Sequence, residues 1–385
     1  MKKILILNYE YPPLGGGAGV VSKEYAEGLV KLGNHVTVIT TWFEGEPEIK
    51  EIGNLKIIRL KSLRKKSFQS NPIEMLSWAY KSIIFLKKYL KHYNFDLVIA
   101  FFSIPGGIVA KYIKDKFNIP YILSTHGHDI PGFFPEQMRK FHILTNWYTK
   151  KIWKKAEKIL VLTTEMKKLA DKFGNPNKNI ILANGCYSEF FYPDVSKKKD
   201  MFTILFAGRL VIQKDPFTML KAIKILKTKT SNFIVNIAGD GPMKKEIELY
   251  IKQNNLSENI KFTGWLTKEE IRDYYQSSHI QICTSKVEAM SVAILESLYS
   301  GLYILSTPIS GNTDMIVEGK TGEFFNIGDY KTLGNKLIDI SEIYRDKKHD
   351  NKIIEQLKDK YNRENIIFEL NNITKNVIKN LTHNG

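Results

Sequence analysis

Residues 202–239 read FTILFAGRLVIQKDPFTMLKAIKILKTKTSNFIVNIAG, and this stretch indicates the fold. Its two apolar runs, 202–208 and 233–239, have the length and residue types of buried strands, and an amphipathic stretch of helical length joins them. A strand, a helix and a second strand of this kind form a βαβ unit. Such a unit places its strands parallel in a sheet that helices cover on both faces.

The same alternation continues through the whole chain of 385 residues. The strand-like runs span residues 3–8, 35–40, 55–60, 96–101, 121–125, 158–163 and 180–184 in the first half and 202–208, 233–239, 259–264, 280–284, 303–307 and 322–326 in the second. The chain is longer than one hydrophobic core usually supports, and a polar segment, 192–200, separates the halves. We therefore predict an α/β protein with two doubly wound domains, 1–192 and 200–352, facing across a cleft. Residues 353–385 are expected to form a helix that packs back on the first domain.

The composition is that of a globular protein, and its cysteine usage favours a reducing compartment. Apolar residues make up 43% and charged residues 25% of the chain, which argues against disorder. Cys186 and Cys283 are far apart and form no metal-ligand spacing, so neither a disulfide framework nor a zinc site is expected. The apolar run at the N-terminus is too short for a signal peptide, and no run approaches the ~18 residues of a membrane span. A cytoplasmic protein is the resulting expectation.

The net charge of +17 is spread unevenly, because residues 1–195 carry 29 Lys and Arg against 17 Asp and Glu. Such an excess favours an anionic partner, which could be a membrane surface, a phosphate-bearing ligand or a nucleic acid. A lysine-rich surface without any partner is the alternative interpretation.

Two segments of the first half follow strand-like runs and carry candidate site residues. The first is the loop around Gly16 and Gly17, where glycines permit a close backbone approach and the following helix offers free N–H groups to an anion. It matches neither the dinucleotide fingerprint nor a Walker loop, and a tight structural turn is the alternative. The second is His126, which could donate a hydrogen bond to a sugar hydroxyl or stabilise developing charge. Such a histidine can also be purely structural.

Charged and glycine residues follow the first strands of the second half. Arg209 and Lys214 are cations of the kind that hold a diphosphate, with a solvated loop as the alternative. Each of the first three strand-like runs of this half ends in a glycine. These glycines and the tryptophan after the third could make room for a nucleotide: Gly208, Gly239, Gly264 and Trp265.

The strongest single element is residues 288–301, EAMSVAILESLYSG. Ser291 is a suitable helix N-cap and Gly301 a suitable stop, so Glu288 is expected in the loop before a helix and Glu296 inside it. The backbone of Ala289, Met290 and Ser291 would present N–H groups to an anion, and two carboxylates could accept hydrogen bonds from the hydroxyls of a sugar and a ribose.

In their order along the chain, these motifs resemble glycosyltransferase family 4, whose members have the GT-B fold of two Rossmann-like domains. The Glu288–Glu296 pair matches the family's E-x7-E pattern, and Gly208-Arg209-Leu210 with Lys214 matches its G-R-L…K segment. The likeness covers residues 3–326. Ala289 departs from it, since glycine is common there.

The resemblance implies a function and a role for each matching residue. Arg209 and Lys214 would bind the donor diphosphate, Glu296 the ribose and Glu288 the donor sugar, with Glu288 and His126 as the catalytic pair. Gly16 and Gly17 would contact the diphosphate or the acceptor. Transfer would retain the anomeric configuration without a bound metal or a cofactor, because the nucleotide sugar is itself a substrate. The N-terminal domain would bind the acceptor and the C-terminal domain the donor.

Two basic, aromatic segments suggest a further partner. Residues 71–93 are predicted to be a helix, capped by Asn71, that mixes apolar residues with lysines, and residues 133–158 are similar. Helices of this kind can lie on anionic bilayers, although their apolar residues can equally belong to the core.

These observations predict a hexosyltransferase that uses a nucleotide diphosphate sugar and a glycan or lipid-linked acceptor in cell-surface polysaccharide or lipopolysaccharide biosynthesis. It could associate peripherally with the inner face of the cell membrane. A nucleotide-sugar epimerase on the same fold is the first alternative. A basic nucleic-acid-binding protein is the second, but no nucleic-acid-binding signature supports it, and nucleic acid is not an expected partner.

Overall fold

The structure is a computed structural model that describes residues 1–66, 70–344 and 351–382. The chain divides into two compact units. The first comprises Met1–Asn184 and Glu364–Gly385, and the second comprises Gly185–Arg363. The division therefore falls at residues 184–185, ahead of the polar 192–200 segment that the sequence suggested as the linker.

The first unit is built on an eight-stranded sheet. Its strands are β1 (Lys3–Leu7), β2 (His35–Thr41), β3 (Ile49–Ile52), β4 (Leu55–Leu60), β5 (Leu97–Phe101), β6 (Tyr121–Ser124), β7 (Lys158–Val161) and β8 (Asn179–Ile181). They lie in the order β3-β4-β2-β1-β5-β6-β7-β8. All pairs are parallel except β3 with β4, which is antiparallel. The sheet is thus mixed, and the prediction of parallel sheets alone was wrong at this edge.

Five helices connect the strands of this sheet in the described part of the chain. They are α1 (Gly17–Lys31), α2 (Pro72–Tyr89), α3 (Gly107–Phe117), α4 (Pro135–Lys155) and α5 (Thr164–Phe173). Asn71 caps α2 with a capping box, as its sequence indicates.

The second unit is built on a six-stranded parallel sheet. Its strands are β9 (Phe202–Ala207), β10 (Phe233–Ala238), β11 (Ile260–Gly264), β12 (Ile280–Cys283), β13 (Tyr303–Ser306) and β14 (Gly322–Phe324), in the order β11-β10-β9-β12-β13-β14. Its helices are α6 (Pro216–Lys227), α7 (Lys244–Gln253), α8 (Lys268–Ser277), α9 (Val292–Tyr299), α10 (Asn312–Met315), α11 (Tyr330–Ile343) and α12 (Asn351–Tyr361). A continuous hydrophobic core lies between the strands and helices of this unit.

The C-terminal stretch forms two helices rather than one. The first, α12, belongs to the second unit, where the Tyr299 hydroxyl donates to the Leu357 carbonyl at 2.9 Å. The second, α13 (Arg363–Thr382), belongs almost wholly to the first unit. Its Ile367 lies so close to Gly28 of α1 that a Cβ at Gly28 would be 2.5 Å from Ile367 Cγ2. Residues 383–385, the end of the expected helix, lie outside the described residues.

Candidate functional site

The second unit has its topological switch point at β9, because β10 lies on one side of it and β12 on the other. Helices leave neighbouring strands in opposite directions at such a point, so a crevice opens beyond the strands' carboxyl ends. Arg209 lies two residues beyond the end of β9, and the loop carrying Glu288 follows β12. The residues predicted to bind the diphosphate and the donor sugar therefore meet at the switch point.

Three glycines bring the carboxyl ends of β9, β10 and β11 into close contact. The Gly208 N–H donates to the Ala238 carbonyl at 2.9 Å, and the Gly239 N–H donates to the Gly264 carbonyl at 2.8 Å. Gly239 has φ +136°, and a Cβ there would lie 2.1 Å from the Gly208 carbonyl oxygen. Only glycine fits at residue 239, because a side chain there would clash with the backbone of Gly208. Trp265 follows these glycines and is 67% exposed.

Lys214 and Glu288 form an ion pair at this edge. The Lys214 ammonium donates to Glu288 Oε1, and the Ser285 hydroxyl donates to the same oxygen at 2.8 Å. The lysine lies against Gly208, where a Cβ would be 3.2 Å from its Cε. Burial lowers the pKa of Lys214, and the positive charge of Arg209 lowers it further. Two cations and a carboxylate are thus close together at a partly desolvated position. The lower effective dielectric constant there strengthens their electrostatic interaction with any charged ligand.

Glu288 and Glu296 occupy the positions that the sequence indicated. Glu288 lies in the loop before α9, and Glu296 is the fifth residue of that helix. Ser291 is the N-cap residue, but its side chain makes no cap hydrogen bond. The N–H groups of the first turn of α9 are therefore not satisfied by their own N-cap side chain. The loop backbone is packed tightly, since a Cβ at Gly311 would lie 2.9 Å from the Ala289 carbonyl oxygen.

His126 lies in the first unit, just beyond the carboxyl end of β6. Its ring stacks on Phe101 with centroids 5.1 Å apart, and its Nε2 is 3.1 Å from the Ser124 hydroxyl oxygen. Burial lowers the pKa of His126 to about 3. The imidazole is therefore neutral at physiological pH, so it carries no positive charge and can interact with a ligand only through hydrogen bonds or ring contacts.

Asp129 fixes the loop that carries His126. Its Oδ1 accepts the His126 N–H at 2.8 Å, and its Oδ2 accepts the Ser103 N–H at 2.9 Å. Burial raises the pKa of Asp129, although these hydrogen bonds act against the rise. The carboxylate therefore joins the loops that follow β5 and β6.

Gly16 and Gly17 lie at the start of α1, which follows β1 in the first unit. Both are exposed, and a Cβ at either would meet no atom within 4 Å. The Glu10 carboxylate lies beside this loop, 3.5 Å from the Gly16 nitrogen, and Arg64 approaches it at 3.7 Å. The backbone here is open to a ligand, as the glycine run indicates.

Several side chains that shape these places were not singled out from the sequence. Ser285 and Tyr275 bond to Glu288 and Glu296, and Asp129 bonds to the loop of His126. Of these, only Asp129, in the run His126-Gly127-His128-Asp129, had a local signal. Tyr275 stands 21 residues from its partner, so no short motif could have revealed it.

The apolar residues of the two basic segments are only partly in the core. Trp78, Leu86 and Trp153 are buried, so the core interpretation holds for them. Other apolar side chains face outward: Ile73, Leu76, Tyr80 and Ile84 on α2, and Ile143, Leu144 and Trp147 on α4. Within the described ranges, no helix is both long enough and apolar enough to cross a membrane.

Two family models match the chain, one after the other. A model described as Glycosyltransferase Family 4 matches residues 15–188, and one described as Glycosyl transferases group 1 matches residues 188–360. An uncharacterized glycosyltransferase of Methanocaldococcus jannaschii is 25% identical over 342 residues, which cover 88% of each protein.

A second relative and a solved structure complete the comparison. The UDP-Gal:alpha-D-GlcNAc-diphosphoundecaprenol alpha-1,3-galactosyltransferase of Escherichia coli is 25% identical over 278 residues, covering 68% of this chain and 70% of that protein. The structure of sucrose-phosphate synthase from Thermosynechococcus elongatus superimposes with a TM-score of 0.85 at 16% identity, covering 98% of this chain and all of that one. At this identity the likeness concerns the fold alone, and it confirms the predicted GT-B fold.

Proposed function

Because this chain belongs to the group 1 glycosyltransferases, we propose that it transfers a hexose from a nucleotide diphosphate sugar to a glycan or lipid-linked acceptor, with retention of the anomeric configuration. The observation that carries the proposal is the meeting of Arg209, Lys214 and Glu288 at the switch point of the second unit. A crevice at such a point is where open α/β sheets bind ligands, and its charges suit a diphosphate bonded to a sugar.

The two cations take the charge of the donor diphosphate in this proposal. Arg209 offers a planar fork to the phosphate oxygens, and Lys214 offers a compact charge. Lys214 is paired with Glu288, so a diphosphate would compete with that carboxylate for the ammonium. Released from Lys214, Glu288 could accept hydrogen bonds from the donor sugar hydroxyls. The backbone of Ala289, Met290 and Ser291 would complete the sugar contact at the N-terminus of α9.

The nucleoside would lie beyond the strand ends of the same unit. Glu296 is proposed to accept hydrogen bonds from the ribose hydroxyls. Gly208, Gly239 and Gly264 are proposed to border the nucleotide, with open space at Gly264, where a Cβ would meet no atom within 4 Å. The exposed Trp265 could contact the base. His126 is proposed to contact the transferred sugar, and Gly16 and Gly17 are proposed to contact the diphosphate or the acceptor.

The chemical step breaks the bond between the anomeric carbon and the phosphate oxygen and forms a bond from that carbon to an acceptor oxygen. We propose that the leaving phosphate oxygen takes the proton of the acceptor hydroxyl on the same face, which retains the configuration. Arg209, Lys214 and the N-terminus of α9 stabilise the negative charge that develops on the leaving diphosphate. In this scheme those groups take the part that a bound metal plays elsewhere, and no resident cofactor is needed.

The acceptor is proposed to be lipid-linked and to be met at the cytoplasmic face of an anionic membrane. The name of the Escherichia coli relative states a UDP-galactose donor and a diphosphoundecaprenol-linked acceptor. In this chain, α4 carries three exposed apolar side chains at Ile143, Leu144 and Trp147. Six exposed cations accompany them on the same helix, against one exposed acidic residue: Arg139, Lys140, Lys150, Lys151, Lys154 and Lys155, against Glu136. An exposed surface that is both apolar and basic suits anionic lipid headgroups.

A matched pair of lysine variants tests the donor site. Lys214→Ala should weaken the binding of nucleoside diphosphate, because the phosphates lose a partly desolvated cation, and a loss on the order of tenfold to a hundredfold is expected. Lys336→Ala is the control, since Lys336 pairs with Glu323 at 2.6 Å in the same unit and is as exposed as Lys214. Binding is measured by calorimetry on the full chain with UDP, GDP and ADP, after a thermal-shift survey of their sugars has identified the donor.

The same experiment can refute the proposal. Equal affinities in Lys214→Ala and Lys336→Ala would exclude Lys214 from the diphosphate site. With the donor identified, Glu288→Gln should abolish transfer in a chain that still folds, as judged by its circular dichroism. Conversion of the donor sugar without any acceptor would instead identify an epimerase.

A further inference from the structure

Tyr275 of α8 and Glu296 of α9 are joined by a hydrogen bond inside the second unit. The Tyr275 hydroxyl donates to Glu296 Oε2 at 3.0 Å. Tyr275 is 1% exposed, whereas Glu296 is only half-buried. One partner is therefore a core residue, and the other reaches toward the surface from the helix that follows Glu288.

The surroundings hold the Tyr275 ring in one place. Phe191 packs edge-on against it with centroids 5.9 Å apart. The next residue, Gln276, is fully buried and donates from Nε2 to the Tyr192 carbonyl at 3.0 Å. Burial raises the pKa of Tyr275 well above its usual value, and the charge of Glu296 raises it further. The phenol thus remains a fixed hydrogen-bond donor throughout the working pH range.

Glu296 is fixed from its backbone as well. The hydroxyl oxygen of its neighbour Ser297 lies within hydrogen-bond distance of Gln281 Oε1 on β12 and of the Ala293 carbonyl oxygen within α9, so its one proton is shared between these two acceptors. These bonds set the position of the helix but leave the glutamate side chain several rotatable bonds. The bond from Tyr275 selects among those rotamers, and a side chain ordered in advance loses less entropy when a ligand binds.

We propose that Tyr275 is a positioning residue for the nucleotide ribose. It holds the Glu296 carboxylate in the orientation that accepts hydrogen bonds from two vicinal hydroxyls. Tyr275 thereby sets the preference for ribonucleoside over 2′-deoxyribonucleoside diphosphates. The inference rests on the proposed ribose role of Glu296.

The chemistry explains why positioning controls selectivity. A site arranged to hydrogen-bond a hydroxyl discriminates against the analogue that lacks it, because a polar group of the site is then left unpaired. A carboxylate that rotates freely can turn toward one hydroxyl or toward water, so it loses less when the second hydroxyl is missing. A fixed carboxylate cannot adapt in this way.

Tyr275→Phe removes the hydroxyl and keeps the ring. The control is Tyr303→Phe in the same unit, because the Tyr303 hydroxyl also donates to a glutamate, Glu323 Oε1, at 3.0 Å and Tyr303 is 2% exposed. Calorimetry on the full chain gives the affinities for UDP, GDP and ADP and for their 2′-deoxy counterparts. We expect the wild type to prefer the ribose form of the nucleotide it binds. The ratio of the affinities for the ribose and 2′-deoxy forms should fall about tenfold in Tyr275→Phe and stay unchanged in Tyr303→Phe.

Glu296→Ala tests the ribose role of Glu296 separately from the positioning role of Tyr275. If Glu296→Ala loses the ribose preference and Tyr275→Phe retains it, the positioning role of Tyr275 is wrong and the ribose site stands. If the wild type shows no preference, or Glu296→Ala keeps it, the ribose role of Glu296 itself fails. Should Tyr275→Phe not fold, as judged by its melting against Tyr303→Phe, 4-fluorophenylalanine at residue 275 fills the hydroxyl's space without a donor. The same outcomes then apply.

Discussion

Gly239→Ala should damage the donor site through a steric clash that can be sized from the structure. The added Cβ would lie 2.1 Å from the Gly208 carbonyl oxygen and 2.9 Å from its carbonyl carbon. Non-bonded carbon atoms are most stable about 3.5–4.0 Å apart, so the ends of β9 and β10 would have to separate by about 1 Å. Both sides of this contact are backbone, and neither can turn away as a flexible side chain would.

Two costs add up in this variant. Alanine at φ +136° is strained by about 1–3 kcal/mol, and forcing two packed backbones apart costs a similar amount. A total of about 4 kcal/mol would lower the melting temperature by roughly 8–16 °C for a unit of this size. The displaced segment also carries Arg209, so nucleoside diphosphate binding should weaken along with stability.

Gly264→Ala is the control for backbone strain alone. Gly264 has φ +72°, and a Cβ there would meet no atom within 4 Å. Its cost should be about 1 kcal/mol, or roughly 2–4 °C. Thermal unfolding followed by circular dichroism compares the two variants. Equal melting temperatures would refute the steric argument, and undiminished nucleotide binding by Gly239→Ala would separate residue 239 from the donor site.

Two further predictions concern the first unit. The pKa of His126 is about 3 in the folded chain against an ordinary value of 6.5. As the pH falls below about 6.5, the unfolded chain takes up this proton while the folded chain does not, so the free energy of unfolding should fall. His126→Gln should flatten that decline in denaturant titrations between pH 4 and 7, and an unchanged slope would contradict the burial of a neutral ring. The membrane surface is tested by replacing Lys150, Lys151 and Lys154 with glutamate. This charge reversal should weaken binding to anionic vesicles by about 3 kcal/mol or more, measured by co-sedimentation. The control reverses three exposed lysines of the second unit, Lys229, Lys245 and Lys252, and should leave vesicle binding intact. Equal losses of binding in both variants would show that net charge alone explains the effect.

The sequence predicted most strands because buried parallel strands are continuous apolar runs. The missed strand, β3, reads Ile49-Lys50-Glu51-Ile52 and is exposed along its length, so it has no burial pattern to reveal it. It exists because its backbone pairs with β4 at the edge of the sheet. Local periodicity thus detects strands that are buried and misses a strand held by pairing alone.

The site was predictable to the extent that its residues lie at strand ends and in one short helix. Glu288, Glu296, Arg209 and Lys214 could be selected because position after a strand is visible in the sequence. The ion pair between Lys214 and Glu288 joins residues 74 apart, and the clash that demands glycine at residue 239 depends on strand register. Such contacts are set by tertiary packing, which no single segment encodes.

The helix α13 has a consequence for how the protein is made. The first unit consists of the first 184 residues and the last helix, so the ribosome completes the whole second unit before the first one has all its parts. At about 5–20 residues per second, the N-terminal sheet would wait on the order of 10–40 s for Ile367 to reach Gly28. During that interval Gly28 of α1 lacks its contact with Ile367, and Asn34, which follows α1, lacks its hydrogen bond from Nδ2 to Asn371 Oδ1 at 3.1 Å. This uncovered surface makes the nascent chain a candidate for chaperone binding. A premature stop shortly before α13 would leave both sheets translated and the first unit permanently without this helix.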